Sequence, residues 1–103
     1  MLLLNRVNLI GKIADDPRVY FTSNHIRIMS FELITDSDKS LSRLHHVVIE
    51  DPLIIEYAYT YLFAGSVVWV EGQLEYFCSA HDNSKDVWIV VSRKHGRLHP
   101  LMQ

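Results

Sequence analysis

Apolar and polar residues alternate from Leu4 to Ile13, with Val7, Leu9, Gly11 and Ile13 on one side and Asn8, Ile10 and Lys12 on the other. A period of two residues is that of a half-buried strand. Asp15-Asp16-Pro17 ends it, because proline has no N–H to give to a ladder. A short extended piece from Arg18 to Thr22 leads to the turn signal Ser23-Asn24-His25. Beyond it, Ile26 and Ile28 keep one phase while Met29, Phe31 and Leu33 keep the other, which predicts a β-bulge near Met29. A polar loop over 35–42 separates this second strand from a third, Leu44 to Ile49.

The period then lengthens. Asp51 is a good N-cap and Pro52 a good first helical residue. Ile55, Ala58 and Leu62 form one stripe, with Tyr57 and Tyr61 beside it, so the pattern predicts a helix running to Ala64. Gly65 stands where a left-handed residue would stop that helix. Ser66 to Phe77 reads as a fourth strand, with Val68, Val70 and Leu74 on one face, Trp69 on the other, and Gly72 marking a bend. A second polar loop, 80–85, precedes a fifth strand from Val87 to Val91. The order β-β-β-α-β-β describes an all-β chain with one helix between strands three and four, the order of the five-stranded oligonucleotide-binding (OB) barrel. Many such barrels bind single-stranded nucleic acid.

Composition narrows the function classes. At 103 residues the chain is expected to form a single domain, 1–103. It is 49% hydrophobic and 21% charged, ordinary for a soluble globular domain. A net charge of −2 argues against strong binding driven by backbone phosphates alone. The single cysteine, Cys78, excludes an internal disulfide. Met1-Leu2-Leu3-Leu4 is too short for a secretory apolar region, and no run reaches membrane-spanning length, so a cytoplasmic, non-membrane protein is expected. His45-His46, His95 with His99, and Cys78 with His81 give no four-ligand set at structural-zinc spacing. No nucleophile elbow or glycine-rich loop is present. The expectation is a binding protein without catalysis, metal or cofactor.

The residues resemble the bacterial single-stranded DNA-binding protein family. The resemblance runs through Asn5-Arg6-Val7-x-Leu9-Ile10-Gly11, Asp16-Pro17-x-Val19, Phe31-x-Leu33-x-Thr35 and His45-x-Val47-Val48. It closes with Tyr61-Leu62-x-x-Gly65-Ser66-x-Val68-x-Val70-Glu71-Gly72-x-Leu74, the most specific of these stretches. It implies an OB fold, assembly as a homotetramer, non-specific binding of single strands in replication, repair and recombination, and no enzymatic activity. A second resemblance, to primosomal replication protein N, rests on the short length and implies a dimer that binds single strands and protein partners.

The departures from the first family are as informative. Leu44 stands before His45 where the family has Trp, and Glu50 stands two residues after Val47-Val48 where it has Phe. Glu75-Tyr76-Phe77-Cys78-Ser79 replaces a basic, Trp-containing stretch, and Pro100-Leu101-Met102-Gln103 stands in place of an acidic-tipped tail, so no recruitment of partners through such a tail is expected. Base stacking contributes about 1–3 kcal/mol per base, so the loss of two or three platforms predicts binding weakened a thousandfold or more.

The candidate single-strand contacts are therefore Arg6, Lys12, Arg43, His46 and Lys85 for phosphates, with Tyr76, Phe77 and Trp88 for stacking; Arg27 and Lys39 are further basic candidates. His46 takes the place of a basic family residue, and an ordinary imidazole is mostly neutral at pH 7, which makes it a poor phosphate anchor. Trp69 on the outer strand face, and His45 by the resemblance, are expected at contacts between subunits. The rival expectation is an interaction or oligomerisation subunit that keeps the barrel and has weak or no DNA binding, favoured by Glu50 and Glu75 at family contact positions.

Overall fold

A computed structural model describes residues 2–36, 44–78, 85–92 and 96–102; the side chains of Phe77, Cys78, Lys85, Asp86 and Met102 fall outside that description. The elements are β1 (Val7–Ile13), β2 (Arg18–Phe21), β3 (Arg27–Ile34), β4 (Leu44–Ile49), α1 (Pro52–Tyr61), β5 (Val67–Cys78), β6 (Lys85–Val91) and β7 (Arg97–Met102). Five of them close a barrel in the order β1-β3-β4-β6-β5, with β5 returning to β1. All its ladders are antiparallel except β4–β6, which is parallel. The OB-type barrel expected from the alternation is present, and α1 joins β4 to β5.

Two strands lie beside this ring. β2 pairs only with β3, from Arg18 opposite Ser30 to Phe21 opposite Arg27. The extended piece of the sequence reading is thus a true strand, and counting it moves the helix from after the third strand to after the fourth. β7 pairs with β5 along the edge that β6 has left, placing Trp69 opposite His99 and Glu71 opposite Arg97.

The barrel interior follows from alternation. Ile13, Met29, Leu33, Val47, Ile49, Val68, Val70 and Val91 are all buried in one cluster. Burial of each such side chain contributes about 1.5–3 kcal/mol. The bulge expected near Met29 does not form, because β3 keeps one unbroken register against β2 from Arg27 to Ser30 and against β4 from Met29 to Ile34. Ile28 simply points outward, into a cleft shared with Tyr20 and Val48. The irregularity lies instead on β5, between Val67 and Val68 opposite β7.

The helix covers one end of the barrel. Asp51 caps it, accepting from Leu53 N–H at 3.0 Å, and Ile55 and Ala58 are its buried residues. It ends at Tyr61, not Ala64. Leu62 turns to an extended conformation (φ −105°, ψ 138°) and is itself buried, so core packing takes the chain out of the helix three residues early. Gly65 has φ +94°, but its left-handed turn sews the chain to β1: its N–H donates to Ile13 C=O at 2.8 Å, while Ile13 N–H donates to Ser66 C=O at 2.9 Å. Asp16 joins this knot, accepting from Ala64 N–H at 2.8 Å. The aromatic side of the helix, Tyr57, Tyr59, Tyr61 and then Phe63, is exposed.

Two glycines permit close backbone approach. A Cβ on Gly72 would lie 2.7 Å from Val90 O, where β5 passes from β1 to β6. A Cβ on Gly11 would lie 2.4 Å from Ile34 O, at the seam where β1 meets β3 through only Lys12–Ile34 and Ile13–Leu33.

Candidate functional site

The ladders decide which side chains share the outer surface. Residues facing away from Met29, Phe31 and Leu33 on β3 are Ile28, Ser30 and Glu32. Glu32 stands opposite His46, His46 beside Trp88, and Trp88 opposite Glu75, so one row crosses four strands. The next row is Arg18, Ser30, Val48, Val90 and Gln73. Val48 and Val90 are buried although they face outward, and they floor the sheet between the polar rows.

The β1–β2 turn overhangs this face and makes a cleft of about 290 Å³, lined among others by Asp15, Arg18, Tyr20, Glu32, His46 and Trp88. The His46 and Trp88 rings stand 6.3 Å apart at 35°. His46 Nδ1 lies 3.8 Å from Glu32 Oε1, near enough for attraction when the imidazole is protonated and too far for a hydrogen bond. At the end of β4, burial pushes the Glu50 carboxyl above its ordinary value, and the negative charge of Glu75 adds to the rise. The face therefore combines an indole platform with carboxylates, with Arg18 as its cation and His46 as an imidazole that carries charge only when protonated. Among the described residues, no three His, Cys, Asp or Glu side chains converge as a metal centre requires.

His46 and Trp88 are thus neighbours on one face. Tyr76 lies opposite Val87, on the other side of its strand from Glu75 and Trp88, and is exposed. Phe77 and Lys85 hold ladder positions opposite Asp86 and Cys78. Arg43 and Lys39 lie outside the described residues. Arg27 is engaged elsewhere, 3.1 Å from Glu56 on the helix.

Arg6 and Trp69 belong to another face, the outside of β1, β5 and β7. Arg6 and Arg97 flank Glu71 at 3.7 and 3.9 Å. Ile10 pairs with Trp69, and Trp69 with His99, whose ring is 5.3 Å away; the indole N–H donates to Asn8 Oδ1 at 3.3 Å. Lys12 stands where the faces meet, opposite Val67 on β5 and Ile34 on β3. His45 is not on this face. It shares the inward side of β4 with Val47 and pairs with the Thr35 hydroxyl at 2.9 Å.

Arg18, Tyr20, Glu32 and Asp15 are absent from the sequence-based candidates. The signal was present for three of them: parity against the half-buried Val19 and against the buried Phe31 and Leu33 puts Arg18, Tyr20 and Glu32 outside.

Comparison with known proteins sharpens this picture. The model of the single-strand binding protein family matches residues 4–93, nearly the whole described barrel. The chain belongs to the single-strand binding protein family. Among solved structures it is similar to the Plasmodium falciparum SSB in complex with ssDNA, with a TM-score of 0.83 and 24% identity over 98% of this chain and 97% of that one. It is also similar to the mitochondrial single-stranded DNA-binding protein Rim1 of S. cerevisiae, with a TM-score of 0.82 and 12% identity over 99% and 98% of the two chains. At these identities the likeness is one of fold, and the barrel is that of the family. On this family barrel, the outer row holds Glu32 and Glu75 at either end of His46 and Trp88.

Proposed function

We propose that the chain binds single-stranded DNA without catalysis, laying a strand across the outer faces of β2, β3, β4 and β6 in support of replication, repair and recombination. The observation that carries this reading is the family match over 4–93 on a barrel whose outer face sets Trp88 beside His46. The similar Plasmodium protein was solved with ssDNA, which supports the same ligand here. Trp88 supplies the stacking platform, with Phe77 as a second aromatic candidate, while Tyr76 faces the other side of β5. Arg18, with Lys12, Arg43 and Lys85, draws the phosphates, joined by His46 when its imidazole is protonated, whereas Arg6 lies on the assembly face beside Glu71.

Glu32, Glu50 and Glu75 on the same face repel phosphate, so binding is weak and strongly salt-dependent. The test is titration of a labelled mixed-sequence oligonucleotide at two salt concentrations. A linear fall of log K with log salt, with a slope of about −0.7 per phosphate contact, supports the reading. No affinity even at low salt overturns it in favour of the second reading, an OB-fold interaction subunit, which the three carboxylates favour.

Copies of the chain assemble, in this reading, as a homotetramer or a dimer through the outside of β1, β5 and β7. Ile10 is 60% exposed and Trp69 36% exposed there, an apolar row that a partner subunit would cover. Light scattering that returns a monomer-sized species would contradict this assembly.

A further inference from the structure

The cleft under the β1–β2 turn has a chemistry that a uniform phosphate track does not require. Its volume of about 290 Å³ is at the small end for organic ligands, suited to a single planar group. Trp88 and Tyr20 line it with aromatic rings, Arg18 offers a cation, and Glu32 brings a carboxylate into the same space. Among the described residues no donor satisfies that carboxylate: the ring nitrogen His46 Nδ1 is 3.8 Å from Oε1, too far for a hydrogen bond. Asp16 differs, since one of its oxygens is already taken by Ala64 N–H at 2.8 Å.

We propose that this cleft reads a nucleobase, taking guanine or cytosine in preference to thymine through hydrogen bonds to the Glu32 carboxylate. The inference rests on the single-stranded DNA reading above and adds base preference to it. An ionised carboxylate can only accept hydrogen bonds. Guanine presents two adjacent donors on its pairing edge, its ring N1–H and its amino group, which match two carboxylate oxygens. Cytosine presents its amino group, a known partner of Glu and Asp. Thymine presents one N–H flanked by two carbonyls, whose lone pairs would meet the carboxylate. Stacking on Trp88 serves every base alike, so discrimination falls to Glu32.

The test measures fluorescence anisotropy at low salt with labelled oligonucleotides of equal length: oligo-dT, oligo-dC and alternating dT-dG. The wild-type chain is expected to bind oligo-dC and dT-dG at least about fivefold more tightly than oligo-dT. Glu32→Gln, whose amide both donates and accepts, is expected to bring the three within about twofold of one another while binding persists. Because the substitution removes one negative charge for all three ligands, the ratio and not the absolute affinity is the readout. Oligo-dT bound as tightly as the others by the wild type, or a preference unchanged in Glu32→Gln, overturns the inference and leaves DNA binding standing. Failure of all three oligonucleotides to bind overturns the DNA reading itself and base reading with it.

Discussion

Replacing Gly11 by alanine tests whether the barrel depends on the narrow seam between β1 and β3. The added Cβ would lie 2.4 Å from Ile34 O and 2.9 Å from Leu33 Cγ, where ordinary contact begins at 3.4 Å. One of the two strands must therefore retreat by about 1 Å against backbone atoms that have no rotamer to escape into. Overpacking of this kind costs about 1–3 kcal/mol. The retreat also strains the hydrogen bonds of the seam, including Ala14 N–H to Glu32 C=O at 2.9 Å, each contributing about 1 kcal/mol. Loss of glycine flexibility in the unfolded chain offsets about 0.4–1 kcal/mol. The net destabilisation is about 2–4 kcal/mol, a fall in Tm of roughly 10–25 °C for a domain this size. Thermal melting followed by circular dichroism reads it directly. Gly65→Ala is the control: nothing lies within 4 Å of its added Cβ, and its cost comes from φ +94°. Asparagine should therefore be tolerated better than alanine at 65 and no better at 11. A Gly11→Ala protein melting within about 3 °C of the wild type would refute the seam argument.

Other substitutions test the site and the fold. Removing the indole of Trp69 (W69F) leaves Trp88 as the sole tryptophan, and its fluorescence should be quenched by single-stranded DNA; W88A, retaining Trp69, should show no quenching and bind about 5- to 150-fold more weakly. Replacing both Glu50 and Glu75 by glutamine should raise affinity roughly sevenfold, since each carboxylate about 7 Å from a phosphate costs about 0.6 kcal/mol in water. Glu50 has its carboxyl raised by burial and by Glu75, so it gains a proton as pH falls through that raised value. Wild-type affinity should then climb on mild acidification, stability should rise over the same interval, and both trends should flatten in Glu50→Gln. Asp51→Ala removes the cap to Leu53 N–H and should lower stability by about 1 kcal/mol, or about 4–8 °C in the same melt.

Much of the fold is legible in the sequence because the barrel strands bury one face only. The alternations of Val7 to Ile13, Met29 to Leu33 and Val68 to Leu74 are the pattern that a solvated outer face leaves behind. Asp51-Pro52 marks the helix start because capping is a local interaction. Its end is not local: Leu62 is drawn into the core after Tyr61, and helical spacing carries no trace of that pull. β2 reads only as an extended piece, and β7 escapes notice, for a related reason. Each is short or polar and acquires its form from a neighbouring strand, and Pro100 argues against a strand although it is tolerated in β7, which pairs only with β5. For the site, residue types point to Trp88 and His46 as candidates, but grouping is a matter of register. It is the pairing of Tyr76 with Val87 that sets Tyr76 apart from Trp88, and the pairing of Glu32 with His46 that introduces a carboxylate.

The ladder between β1 and β5 joins segments far apart in the chain, with Asn5 bonded to Leu74 across 69 positions of sequence. During synthesis the first strand therefore leaves the ribosome long before its partner exists. Ile13, Met29 and Leu33 must wait for Val68 and Val70, and the apolar lining stays without a lid throughout that interval. Contacts so distant along a chain make for slow folding, on the order of milliseconds to seconds. Aggregation of nascent chains is thus a hazard built into this connectivity, and any substitution that delays the fifth strand lengthens the exposure.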